Sequence, residues 1–391
     1  MPVNLGELFR NKHGRPTTGV LFFGDNLDVM QKYLPDESVD LIYLDPPFNS
    51  KASYNILFKE PTGAPSAAQI RAFEDTWHWG EESEAALRKV VETGPDKTSK
   101  LLNSLVESAL GRNDVTAYLV MMAIRILEFH RLLKKTGSLY LHCDPTMSHY
   151  IKAVLDSVFG PRCFQNEIIW KRTFSHKAKR WGRIHDVILF YTKDPTHYKW
   201  NPPIQEYDRD YINKFFRFED ERGRYRLVIL TGPGTAKGES GQPWRGYDPT
   251  QKPEKLLERI DEGDIVLDPF CGCGTTVSVA QRMGRLWIGI DITHLAVNLI
   301  KSRLKDQLNL IPGEDYVVYG EPVDLAGADA LAKKSRYEFE YWALSLLPPA
   351  KPVKSRETGR SGTGADTGYD GIIYLADGDP RKPKYKRTGW S

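Results

Sequence analysis

The sequence predicts an α/β protein, a doubly wound and mostly parallel sheet carrying a small insert. Two observations predict the sheet: strand-like and helix-like segments alternate from Gly19 onward, and after a long change of texture the alternation returns from Lys252. A third is the position of the acids. Asp45, Asp268 and Asp291 each follow or close an apolar run where the chain turns, and in an open parallel sheet such turns gather along the carboxyl edge.

In order, Gly19–Phe23 reads as a strand, Gly24-Asp25 as an acidic turn, Leu27–Leu34 as a helix and Val39–Leu44 as a second strand, which runs into Asp45-Pro46-Pro47-Phe48. The polar stretch 49–111 holds Pro61, Gly63, Pro65 and the aromatics Phe73, Trp77 and Trp79. Helical periodicity around Glu84–Val91 and Leu101–Leu110 makes it an inserted subdomain. A strong helix is expected over Ala117–Leu133 and a strand over Ser138–His142. A further helix follows, with Pro145 near its start and Ile151, Val154, Leu155 and Val158 on one face. Between about Gln165 and Gly246, short strands (Glu167–Lys171, Asp186–Tyr191) lie among scattered Arg, Lys, Gly and aromatics and read as a separate, smaller module. The returning rhythm is helix Pro253–Ile260, strand Asp264–Leu267, a glycine-rich turn, helix Thr275–Met283, strand Leu286–Ile290 and helix Leu295–Leu304. The last segment reads as an amphipathic helix (Tyr337–Leu347), a Pro/Lys and Gly/Ser/Thr linker, a strand (Tyr369–Ala376) and a basic end, Arg381–Arg387.

With 391 residues the chain is long enough for two or three domains at roughly 150 residues each. Hydrophobic residues at 40% and charged residues at 27% exclude a disordered chain. Lys plus Arg (54) against Asp plus Glu (51) leaves a net charge of +3, so any surface for a polyanion must be a local patch. Four cysteines exclude a disulfide scaffold and fit a reducing compartment. The first residues lack the apolar core of a signal peptide, and no apolar run approaches the ~20 residues of a membrane span, so a cytosolic protein is expected.

The strongest motif is Asp268-Pro-Phe270-Cys-Gly272-Cys-Gly274-Thr275-Thr276, which follows an apolar strand and opens a helix. Its glycines let the backbone approach a nucleoside or its amino-acid tail, and N–H groups at the helix start favour a carboxylate or phosphate. Asp291 stands at the end of the next strand, where doubly wound folds place an acid for ribose hydroxyls. A tight turn and a helix cap are the plainer reading of the same residues. No Lys-Ser/Thr follows the glycines, which disfavours a P-loop. Cys271-Gly-Cys273 offers too few ligands for zinc, and no metal is expected.

Asp45-Pro46-Pro47-Phe48 would reach the same cleft. An amine conjugated to a base ring attacks a methyl group only after losing conjugation, which a carboxylate and a main-chain carbonyl accepting its two hydrogens would bring about. Asp45 and the Pro46 carbonyl suit that task, because prolines remove competing N–H donors, and Phe48 suits stacking on an extruded base. A lone Asp-Pro-Pro also ends strands as a simple turn. Lys171, Arg172, Lys177, Lys179, Arg180 and Arg183, with Trp170, Phe174 and Trp181 interleaved, form a run without an acid until Asp186. Such a run suits phosphate contacts or forms a solvated face.

Asp-Pro-Pro-Phe early and Asp-Pro-Phe-Cys-Gly-Cys-Gly-Thr-Thr late together resemble the amino-methyltransferases of DNA that use S-adenosylmethionine, in the beta arrangement. The resemblance implies a Rossmann-like methyltransferase fold with permuted motif order. Its parts would be a catalytic half over 1–160 with the helical insertion at about 49–111, a target-recognition region over 161–248, a cofactor-binding half over 249–325 and an appendage over 326–391. It assigns Asp45, Pro46, Pro47 and Phe48 to catalysis. Asp25 would meet the cofactor adenine, and Lys252 and Pro253 would wall its methionine part. Asp268, Phe270, Gly272, Gly274, Thr275 and Thr276 would line the cofactor, with Asp291 on its ribose. Asp-Pro-Pro-Phe is more typical of adenine-N6 than of cytosine-N4 enzymes. DNA is the implied partner, and a homodimer and a separate restriction endonuclease are compatible with the resemblance. Glu338-Phe-Glu-Tyr-Trp-Ala and the stretch around Asp370 resemble the opening of a restriction-endonuclease-like domain, with Asp370 as a metal-binding acid. The following strand such a nuclease needs is missing, so the segment reads as truncated. His142-Cys143-Asp144 reads as strand-end packing facing the cleft.

Overall fold

The apolar runs become the strands of one eight-stranded sheet in the computed structural model. Residues described are 4–47, 53–56, 70–74, 78–171, 185–202, 218–220, 223–225, 251–346, 351–352, 371–377 and 384–390. The chain opens with α1 (Leu5–Leu8), β1 (Gly19–Phe23), α2 (Asn26–Tyr33) and β2 (Val39–Leu44). The insertion holds β3 (Ser53–Ile56), β4 (Ile70–Glu74), α3 (Glu81–Thr93), α4 (Asp96–Ser104) and a π turn, Leu105–Ala109. Next come α5 (Asp114–Leu132), β5 (Leu133–Cys143), α6 (Ser148–Phe159), β6 (Phe164–Lys171) and β7 (His185–Thr192), then β8 (Phe218–Asp220) and β9 (Gly223–Tyr225). The returning α/β segment is α7 (Gln251–Leu257), β10 (Ile265–Asp268), α8 (Thr275–Arg282), β11 (Leu286–Asp291), α9 (His294–Leu308) and β12 (Tyr316–Tyr319). The chain ends in α10 (Leu325–Lys334), α11 (Arg336–Ser345), β13 (Lys351–Pro352), β14 (Gly371–Asp377) and β15 (Lys384–Trp390).

The main sheet runs β12-β1-β11-β10-β2-β5-β7-β6. Pairings from β12 through β5 are parallel, whereas β7 is antiparallel to both β5 and β6, so β7 alone runs against the rest. The strands at 164–171 and 185–192, which the sequence places in a separate module, are therefore the last two strands of the main sheet. The β3–β4 hairpin, β12, α10 and β15 were not legible as elements. β5 starts at Leu133 because the polar stretch Lys134–Gly137 continues it, pairing Val39 with Leu133 before a register shift.

Alternation along the strands sends side chains to two apolar layers. Ile42, Leu44, Leu139, Leu141, Val187 and Leu189 pack in one, with α2, α3, α5 and α6. Leu41, Tyr43, Tyr140, Ile188 and Phe190 pack in the other, with α7, α8 and α9. Every residue of β2 is buried, as expected of a strand covered on both faces. Its one charge, Asp40, is satisfied by Lys134 Nζ at 2.6 Å and by the N–H of Ile265 at 3.0 Å. α5, the central helix, starts at a capping box in which Asn113 and Thr116 exchange hydrogen bonds. Among the described residues, no helix is long and apolar enough to cross a membrane.

Candidate active site

β10 leads across α8 to β11 on one side, while β2 leads toward β5 on the other. The two neighbouring strands thus diverge at a topological switch point, where open α/β sheets form a crevice at their carboxyl ends. Asp45 follows β2 and Asp268 ends β10, so the register Leu267 to Ile42 brings both motifs to this crevice. Pro46 is buried and Pro47 partly so, which fixes the turn, whereas Asp45 is exposed. Phe48 lies outside the described residues.

The glycine loop is held by its acids. Asp268 is fully buried; its Oδ1 accepts from the N–H of Phe270 at 3.1 Å, and its carboxyl is bonded to Thr276. Burial raises this carboxyl to about 7 despite those bonds, and the charges of Asp45 and Asp291 add to the rise. Asp291 Oδ2 accepts from the N–H of Gly272 at 2.9 Å, and its Oδ1 accepts from the N–H and hydroxyl of Thr293 at 2.9 Å. The last turn of β11 is thereby tied to the loop, with loss of solvent raising Asp291 as well. Gly274 has φ +72°, and a Cβ there would lie 2.6 Å from Ile300 Cγ1, so the tight approach of α9 requires glycine. Gly272, at φ +50°, has nothing among the described residues within 4 Å of a Cβ position. Among the described residues no side chain caps the start of α8, which leaves a helix terminus suited to a carboxylate. Thr275 accepts from Arg303 Nη1 at 2.9 Å, and Phe270 packs at the margin of the core.

Both oxygens of Asp25 have partners within the protein. Its Oδ1 caps α2 through the N–H groups of Leu27 and Asp28, and its Oδ2 is 2.9 Å from Nη2 of Arg125. Arg125 Nε donates to Asn26 Oδ1 at 2.7 Å, and Asn26 Nδ2 donates to the Pro269 carbonyl at 2.8 Å. A buried chain Arg125–Asn26–Pro269 therefore links α5 to the glycine loop. Sequence reading missed it, because a lone Arg in an apolar helix carries no motif.

His142 does more than pack at a strand end. Its Nδ1 lies 2.7 Å from Asp45 Oδ1, and its Nε2 lies 3.2 Å from Asp186 Oδ2. Buried Tyr43 stands among the same acids, and burial together with Asp45, Asp268 and Asp186 pushes its hydroxyl well up.

Residues 39–302 match the model of a family described as DNA methylase. The chain belongs to the N6/N4 DNA methylase family. The chain is similar to the type II methyltransferase M.HpaI of Haemophilus parainfluenzae, 32% identical over 207 residues, covering 51% of this chain and 63% of that protein. It is also similar to the type II methyltransferase M.EcaI of Enterobacter cloacae, 24% identical over 273 residues, covering 51% of this chain and 60% of that protein. The chain thus spans less than two thirds of the length of these curated relatives. A putative DNA modification methylase from Thermus thermophilus, solved with S-adenosyl-L-methionine, aligns with TM-score 0.41 at 18% identity, covering 77% of this chain and 100% of that one.

Of the remaining sequence candidates, Lys252 and Pro253 lie in α7 with side chains outside the described set. Lys171 ends β6, and Arg172, Lys177, Lys179, Arg180 and Arg183 lie outside the described residues, as do Trp77 and Asp370. Glu338, read as part of a nuclease-like segment, accepts from the His294 N–H at the start of α9, 2.7 Å away.

Proposed function

We propose that the chain transfers the methyl group of S-adenosylmethionine to the exocyclic N6 of adenine in DNA, site-specifically, within a restriction-modification or phage system. The observation that carries this reading is the exposed Asp45 carboxylate at the switch point beside the glycine loop. Asp-Pro-Pro-Phe favours adenine as the base.

The residues present fit such a cofactor. Among the described residues nothing would meet a Cβ at Gly272 and no side chain caps the start of α8, and Asp291 Oδ2, which accepts a single N–H, retains acceptor capacity after its protein bonds. In this reading Phe270, Gly272, Gly274, Thr275 and Thr276 line the cofactor, Asp268 shapes the loop, Asp291 receives the ribose, Lys252 and Pro253 wall the methionine part, and Asp25 borders the adenine. When bound, the cofactor supplies an electrophilic methyl group on a sulfonium. Asp45 and the Pro46 carbonyl accept the two amine hydrogens, localise the nitrogen lone pair and stabilise the positive charge that develops there. Phe48 stacks on the extruded base. Lys171, Arg172, Lys177, Lys179, Arg180 and Arg183 contact phosphates, so binding weakens steeply with salt. A second copy of the chain and a separate restriction endonuclease are the protein partners compatible with this reading.

The test is transfer of radiolabelled methyl from S-adenosylmethionine to unmethylated duplex DNA, followed by nucleoside analysis. Label in N6-methyladenine, lost in Asp45→Ala while cofactor binding persists, is the expected result. Label in N4-methylcytosine would replace the base assignment, and cofactor binding without transfer to DNA would overturn the substrate.

A further inference from the structure

Asp45 is one end of a row of three side chains. Its Oδ1 meets His142 Nδ1 at 2.7 Å, and the other ring nitrogen meets Asp186 at 3.2 Å. The Asp45 side chain is 47% exposed, that of His142 6% and that of Asp186 3%, so the row runs from the crevice into the protein. Strand geometry explains the meeting. Alternation puts Asp45 on the face of Leu41 and Tyr43, His142 on the face of Tyr140, and Asp186 on the face of Ile188 and Phe190, which is one and the same layer. Because β7 is antiparallel to β5, its beginning lies at the edge where β2 and β5 end, with Cys143 opposite Val187.

The chemistry of the row is constrained. Each ring nitrogen faces a carboxyl oxygen, and the 2.7 Å approach of Nδ1 to Asp45 Oδ1 is a hydrogen bond, so a proton lies between those two atoms. The ring therefore donates toward Asp45 or is bonded to it through a carboxyl proton, and in both cases Oδ1 is engaged. The two residues after Asp45 are prolines, which have no N–H with which to hold the carboxylate. Among the described residues His142 is the side chain that holds Asp45, and without the ring this exposed side chain has its other staggered conformers open to it.

We propose that His142 and Asp186 are a positioning pair for Asp45: His142 holds Oδ1, which turns Oδ2 toward the target amine, and Asp186 locks the ring from behind. The inference rests on the reading that Asp45 accepts a hydrogen bond from that amine. A misplacement of about 1 Å in a reacting group costs on the order of 10²-fold in rate, and that is the size of effect assigned to the pair.

The experiment compares single-turnover methyl transfer and cofactor binding for the full chain, with S-adenosylmethionine and unmethylated duplex DNA, in Asp45→Ala, His142→Leu, His142→Asn and Asp186→Asn. His142→Leu should lower the transfer rate on the order of 10²-fold with cofactor affinity and KM for DNA unchanged. His142→Asn, whose amide can still donate from near the Nδ1 position, should recover part of that rate. Asp186→Asn should lower the rate without changing cofactor affinity. An unchanged rate in His142→Leu, beside a wild type that is active and an Asp45→Ala that is dead, would overturn the positioning pair and leave the assignment of Asp45 standing. Loss of cofactor binding in both His142 variants would also overturn it, in favour of a purely structural ring. A wild type that binds cofactor yet transfers no methyl would overturn the underlying reading and the pair with it.

Discussion

Replacing Arg125 by Met tests the link between the central helix and the glycine loop. Arg125 is buried, and its guanidinium reaches three acceptors: Asn26 Oδ1 at 2.7 Å, Asp25 Oδ2 at 2.9 Å and the Met121 carbonyl at 3.0 Å. Burial alone lowers its pKa, and the bond to Asp25 offsets part of that. Methionine fills similar volume, so cavity formation is small and the cost is polar. Buried Asn26 loses its donor, a penalty of about 1–3 kcal/mol. Breaking a buried ion pair costs about 3–5 kcal/mol when a charge is stranded, yet Asp25 keeps two amide donors and is about a third exposed, so water replaces much of what it loses. Together these give roughly 3 kcal/mol, which at about 2–4 °C per kcal/mol is a fall in Tm of about 6–12 °C. Arg125→Lys should lose less, because it keeps a charge near Asp25 but cannot fork to all three acceptors. Cofactor affinity should fall in parallel, since Asn26 holds the Pro269 carbonyl beside Phe270. Thermal melts, urea unfolding and a cofactor titration measure both effects. An Arg125→Met protein within about 1 kcal/mol of wild type, with unaltered cofactor binding, would refute the idea that this chain of bonds holds the loop.

Asp268→Asn should flatten the pH dependence of stability. The Asp268 carboxyl is raised to about 7 in the fold, so the native state binds more protons than the unfolded chain between the ordinary Asp value, near 4, and about 7. Its contribution is present below about 4 and is lost as pH rises through about 7, on the order of a few kcal/mol, and urea unfolding at pH 5 and pH 8 should show the wild type losing more stability than the variant. Gly274→Ala should destabilise by about 1–3 kcal/mol because a left-handed residue gains a methyl pressed on Ile300. Gly272→Ala meets nothing, so its smaller loss of about 1 kcal/mol should come from φ alone, while cofactor affinity drops because the methyl enters the open side of the loop; equal unfolding midpoints for the two variants would contradict this division.

Much of the fold was legible because parallel strands buried on both faces are short, continuous apolar runs: Val39–Leu44 was read with its observed limits, and Ile265 to Asp291 spells out strand, loop, helix and strand in one stretch. The edges were harder. β12 has only four residues, three of them partly exposed, so its pattern resembles loop. β6 and β7 sit in a segment whose basic and aromatic texture suggested a different module, although their own alternation matches the sheet they join. The site divides in the same way. Asp45 and the glycine loop were visible because each is a local word. The residues that hold them were not: 97 positions separate His142 from Asp45, and 100 separate Arg125 from Asp25. What brings Asp186 to Asp45 is the reversed direction of one strand combined with side-chain alternation on three. From sequence, both parities can be counted, but the reversal of β7 cannot, because antiparallel and parallel strands buried on both faces carry the same apolar pattern. Once that direction, the strand order β2-β5-β7 and the register are known, the row follows: residues 45, 142 and 186 share a face and an edge. A long-range polar contact of this kind is therefore fixed by topology, and polar residues at the ends of apolar strands are where a reader of sequence should expect such partners.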